Sequence, residues 1–69
     1  LVELTLPAES PAIGRRVREL SLPGDGVLVA IIRDGRAQPP LPDAAVEEGD
    51  ELLFTISEDH ERELSACLA

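Results

Sequence analysis

An α+β fold, arranged as a small βαβββα sandwich with two helices on one face of a sheet, is the class this sequence predicts. Three observations carry it. "LVELTLP" alternates apolar and polar residues with the period of a strand, "VLVAIIR" and "ELLFTIS" are short apolar runs of strand length, and two further segments repeat their apolar residues at helical spacing.

In the first segment Val2, Leu4 and Leu6 alternate with Glu3 and Thr5, giving a strand with one buried face, which Pro7 ends. Ser10 and Pro11 have the chemistry of an N-cap and first helical residue, and Ile13, Val17 and Leu20 then mark a short amphipathic helix. Gly14 weakens that helix, so its regular part is expected to begin there or to meet a closely approaching backbone. Pro23-Gly24-Asp25-Gly26 forces a turn.

"VLVAIIR", rich in β-branched side chains and apolar at alternate and intervening positions, predicts a central strand buried on both sides. Asp34-Gly35 suits the two positive φ angles of a type I′ turn, so Arg36-Ala37-Gln38 should return antiparallel. Pro39, Pro40 and Pro42 cannot donate ladder bonds and end that arm early, leaving a sheet edge open to a second copy. A loop follows, with a second tight turn at Gly49-Asp50 before the last strand. Ser57 can cap a final helix whose first turn holds Glu58, Asp59 and Glu61, and whose buried stripe is Leu64, Cys67 and Leu68.

Composition bounds the function. A chain of 69 residues makes one domain, and at that size only about 60 per cent of the unfolded surface is buried. One cysteine cannot form an internal disulfide, and one histidine leaves no Cys/His set for zinc. Extra burial is therefore expected from oligomerisation or a neighbouring domain. Phe54 is the only aromatic residue, which excludes aromatic cages and base-stacking platforms. A net charge of −8, from 14 acidic and 6 basic residues, repels nucleic acid and anionic membrane surfaces. No apolar run approaches the about 18 residues of a membrane span, so the sequence reads as soluble and cytosolic. The opening directly on a strand at Leu1 suggests a domain excised from a longer chain.

Catalytic chemistry finds little support. His60 sits among acids in a polar helical turn, without a second His, Ser or Cys at a motif spacing, and is expected to be a solvated helix residue. Cys67 is expected to be a small core residue. The acidic run Glu47, Glu48, Asp50 and Glu51 lacks the alternate-position ligands of a calcium loop and reads as a solvated turn, so no metal site is expected. "PGDG" precedes a strand where a phosphate loop would have to open a helix.

The arginines are more informative. Arg33 and Arg36 flank a two-residue turn and should face each other across the ladder, where like charges repel. Local carboxylates such as Asp34 and Asp43, solvent, a small anionic ligand or a partner chain could answer them. Arg15, Arg16 and Arg18 form a second basic cluster on the exposed side of the expected first helix.

Ser10 and Gly14 before a basic helix, Leu20 and Pro23, the apolar strand ending in Arg33 with Gly35, then Pro40 and Gly49-Asp50, follow one another in a specific order. With that frame, the sequence from Val2 to Leu68 resembles the C-terminal regulatory domain of the TrkA type (TrkA-C, RCK_C) of potassium uptake proteins and potassium channels. The resemblance extends the domain over residues 1–69. It implies a dimeric, non-catalytic α+β module behind a Rossmann-type nucleotide-binding domain, in the cytoplasm at the inner face of the membrane, with a transporter or channel subunit as partner. It implies no cofactor within this domain; NAD or ATP would belong to the preceding domain. Some members hold cyclic di-AMP or another small anion at the dimer interface, which by position would place a ligand against Ala30, Ile31, Asp34 and Arg36. The larger aliphatic residue that would suit a base is replaced by Ala30. A purely structural assembly domain, or the same domain in an antiporter or amino-acid exchanger, are the alternatives.

Overall fold

A computed structural model describes residues 1–68. Its elements are β1 (Val2–Thr5), β2 (Val27–Arg33), β3 (Arg36–Gln38), β4 (Glu51–Thr55) and α1 (Glu58–Leu68), with a short 3₁₀ turn at Val17–Glu19. The strands form one antiparallel sheet in the order β1-β4-β2-β3. The α+β class and all the expected strands are therefore present.

Register follows from which side chains must be buried. Val2 and Leu4 oppose Phe54 and Leu52 between β1 and β4, while Leu28 and Ile31 of β2 meet the same two residues from the other side. These place Leu28, Ile31, Leu52 and Phe54 on one buried face, closed by Leu6, Val46 and the Leu64 and Leu68 side chains of α1. Burying such an aliphatic or aromatic side chain contributes about 1.5–3 kcal/mol. Only one face is covered, however, and the expectation that β2 is buried on both sides is corrected: Val27 is 56% and Val29 42% exposed. Val29 also lies where the β2–β4 register shifts between Leu28 and Ala30, a bulge that leaves it outside the pairing.

The expected first helix is replaced by turns and the Val17–Glu19 3₁₀ segment. Gly14 takes φ +86, which interrupts a right-handed helix, and Arg16 is extended at φ −80, ψ 152. The backbone groups that a helix would use internally bond to the loop before β4. Gly14 N–H donates to Val46 O at 2.8 Å, Val46 N–H to Arg15 O at 2.9 Å, Val17 N–H to Ala44 O at 2.9 Å and Arg18 N–H to Pro42 O at 3.0 Å. The stripe Ile13, Val17 and Leu20 still packs on the core. Ser10 keeps part of a capping role: its Oγ accepts the Ala12 N–H at 3.2 Å and donates to Leu68 O at the far end of α1.

Cys67 is exposed, against the expectation of a core position. The helix touches the core through Leu64 and Leu68, one turn apart, and a residue at 67 is rotated off that line. Among the described residues no helix is long and apolar enough to cross a membrane.

Candidate functional site

The β2–β3 hairpin is built by its turn. Asp34 has φ 53 and Gly35 φ 76, the pair of left-handed conformations a type I′ turn requires. Asp34 tolerates this region better than most side chains and Gly35 carries no Cβ to resist it. The turn sets Arg33 directly opposite Arg36 in the ladder.

The two cations have different surroundings. Arg33 Nε donates to Asp50 Oδ1 at 2.8 Å and Nη2 to Asp50 Oδ2 at 2.7 Å, a two-pronged grip. Arg33 Nη1 lies 2.9 Å from Glu47 Oε2, and Nη2 also donates to Ala45 O at 3.1 Å. Asp50 is 1% exposed, and its Oδ2 additionally accepts the Glu47 N–H at 2.9 Å. These hydrogen bonds hold the Asp50 carboxyl below the usual carboxylate range, Arg33 foremost, against the opposing effect of burial. The same bonds push the Arg33 guanidinium further up.

This corrects the reading of the 47–51 run as a solvated turn: Asp50 is a buried counter-ion and Glu47 an exposed one. Asp43 pairs with Arg18, away from the hairpin. A signal existed in the sequence, because Asp50 directly precedes a buried strand, but nothing local indicated that Arg33 would reach it across 17 positions. Arg36 is exposed, and among the described residues no carboxylate forms an ion pair with it.

Of the residues singled out from the sequence, Asp34 and Arg36 are exposed at the hairpin. Ala30 is half-buried on the uncovered face opposite Leu53, while Ile31 points the other way and is 1% exposed in the core opposite Leu52. Ile31 therefore does not share the surface that Asp34 and Arg36 present. A shallow depression elsewhere involves Pro11, Arg15, Leu20 and Cys67.

His60 is more connected than expected. Its Nδ1 is 2.8 Å from Ser57 Oγ and 3.5 Å from Asp25 Oδ1, and Asp25 Oδ1 accepts both the Ser57 N–H at 3.1 Å and the Ser57 hydroxyl at 3.2 Å. Those bonds, with the Ser57 N–H foremost, hold the Asp25 carboxyl below its ordinary value. Serine and aspartate address the same ring nitrogen, whereas nucleophile activation needs them on opposite ones. The Ser57 hydroxyl is thus engaged by Asp25 and the imidazole. Among the described residues no three His, Cys, Asp or Glu side chains gather to hold a metal ion.

Comparison with known proteins decides the family. Residues 1–68 match the family model for the TrkA-C domain. The chain belongs to the TrkA-C domain family. It is 48% identical over 68 residues to the Trk system potassium uptake protein TrkA of Mycobacterium tuberculosis strain CDC 1551 / Oshkosh, a match covering 99% of this chain and 31% of that protein. The TrkA of strain ATCC 25618 / H37Rv gives the same values. The chain therefore spans about a third of the length of the curated relatives it matches. A solved chain described as "Structure of RCK domain with cda" superposes with a TM-score of 0.84 at 25% identity, covering 99% of this chain and 96% of that one. In this TrkA-C domain, then, the hairpin is braced from within by Arg33 and presents Asp34 and Arg36 outward.

Proposed function

We propose that this TrkA-C domain is a non-catalytic, dimerising regulatory module of a Trk-type potassium uptake protein, in the cytoplasm at the inner face of the membrane beside its transporter. The observation that carries the reading is the 48% identity to potassium uptake proteins over nearly the whole chain. In the full-length protein a nucleotide-binding domain precedes it and supplies any NAD or ATP site. The uncovered apolar residues Val27 and Val29 of β2 supply a surface for a second copy.

Its ligand is a small anion, with cyclic di-AMP the first candidate. The solved RCK relative is described with "cda", which supports a ligand-bearing role for this fold. The contact residues are Ala30, Asp34 and Arg36, with Ile31 supporting them from the core side of β2. Arg36 offers a guanidinium not committed to an ion pair within the described chain, as recognition of a phosphate requires.

A thermal-shift series with cyclic di-AMP, nucleotides and inorganic phosphate tests this. Occupancy at about 100 times Kd adds roughly 2.7 kcal/mol of stability, and Arg36→Ala should abolish it. No shift with any of them would leave a purely assembling domain.

A further inference from the structure

The turn before β2 and the first turn of α1 are joined by a contact that the hairpin reading does not use. The His60 ring lies directly over Gly24: a Cβ added there would stand 2.5 Å from His60 Cγ and 2.7 Å from Nδ1. Gly24 also has φ +57, a left-handed conformation that favours glycine. The ring thus closes on bare backbone, and its Nδ1 faces the Ser57 hydroxyl and the Asp25 carboxylate. The Ser57 hydroxyl has one proton. When that proton goes to Asp25 Oδ1, Nδ1 must be the donor to Ser57 Oγ, so the hydrogen-bond chain runs from imidazole to hydroxyl to carboxylate.

We propose that Asp25, Ser57 and His60 form a proton-dependent latch that fastens the Pro23–Gly26 turn to α1 and thereby sets the exposed start of β2. Protonating the imidazole keeps Nδ1–H in place and adds a positive charge 3.5 Å from Asp25, tightening the fastening. The charged residues next to His60 along α1 are Glu58, Asp59, Glu61, Arg62 and Glu63. Asp25 is the charge contributed by the turn. Both side chains are partly open to water, at 37% for His60 and 61% for Asp25, so protons reach the latch freely. β2 begins with Val27 immediately after this turn, and Val27 and Val29 are the uncovered apolar residues of the strand. The latch thus couples protonation to the position of that surface.

Backbone amide exchange followed by NMR tests the latch in the unmodified chain, His60→Gln and Asp25→Asn, with protection factors corrected for intrinsic rates. The probes are the Ser57 N–H, which Asp25 accepts, and the Gly26 N–H, which closes the turn onto Pro23 O. In the unmodified chain, Ser57 and Gly26 protection should fall about twofold to fivefold between about pH 5 and about pH 8, the range an exposed ion pair allows. Both variants should lose that slope while the β4 amides remain protected. A flat profile in the unmodified chain overturns the proposal, as does an unchanged slope in His60→Gln. A slope kept in Asp25→Asn would show that the carboxylate is not the latch partner and overturns it equally.

Discussion

Arg33 and Arg36 stand directly opposite one another across the Asp34-Gly35 turn, yet among the described residues carboxylates neutralise only Arg33 of the pair. The like-charge cost that the ladder would impose is relieved on one side by Asp50 and Glu47. The other guanidinium is left facing solvent.

Removing the brace should be far more costly than removing the exposed arginine. Asp50→Ala leaves the Glu47 N–H and the Arg33 guanidinium without their shared acceptor, and should cost about 2–3 kcal/mol, reduced from a fully buried pair because Arg33 is partly exposed. Arg36→Ala should stay within about 0.5 kcal/mol of the starting stability. Urea midpoints of the two variants decide it; equal losses would refute the asymmetry.

Acid stability should follow the same residue. The folded-state carboxyl of Asp50 lies below its unfolded value, so its contribution is present above about pH 4 and is lost as pH falls through the lower folded value. Glu51 has the opposite sign. Glu3, beside it on the neighbouring strand, raises its carboxyl, so that contribution is present below the unfolded value and lost as pH rises through the folded one. Stability measured from about pH 5 down to about pH 2 should therefore fall less steeply in Asp50→Asn than in the unmodified chain. In Glu51→Gln the fall should be slightly steeper. A slope unaltered by Asp50→Asn would contradict the ion-pair account.

Gly24→Ala should destabilise through two separable effects. The left-handed backbone costs about 1–2 kcal/mol for a residue with a Cβ, and the collision with the His60 ring adds to it. His60→Ala in the same chain should restore the collision part alone. A double-mutant cycle showing strict additivity would mean the ring does not rest on Gly24.

The uncovered face of β2 should govern association more than folding. Val29→Asp is expected to change monomer stability little, because Val29 is 42% exposed, while abolishing the proposed dimer. Light scattering with urea unfolding separates the two, and a dimer that survives Val29→Asp would assign the interface to another surface.

Leu64 and Cys67 show where the sequence was legible and where it was not. The Ser57 cap, the acidic first turn and the apolar stripe located the helix, and Leu64 and Leu68 are buried as expected. Whether the stripe extended to Cys67 depended on how widely the helix contacts the sheet, which its own residues do not encode. The Ser10–Leu20 segment failed differently. Its apolar spacing was helical and its packing against the core was correct, but Gly14 and the carbonyls of Pro42, Ala44 and Val46 drew its N–H groups into another pattern.

At the hairpin, the opposition of Arg33 and Arg36 was readable because turn chemistry is local: Asp34 and Gly35 accept positive φ, and a two-residue turn fixes the register around it. The sequence by itself determined the strands, that turn and the acidic first turn of α1, each set by adjacent residues. Only the tertiary structure decided which carboxylate binds Arg33, that Asp25 meets Ser57 and His60 across the fold, and that one face of β2 stays bare. Those partners are separated by 17 positions for Arg33 and Asp50, by 32 for Asp25 and Ser57, or by the boundary of the core, and hydrogen-bond geometry selects among them only once the chain has closed.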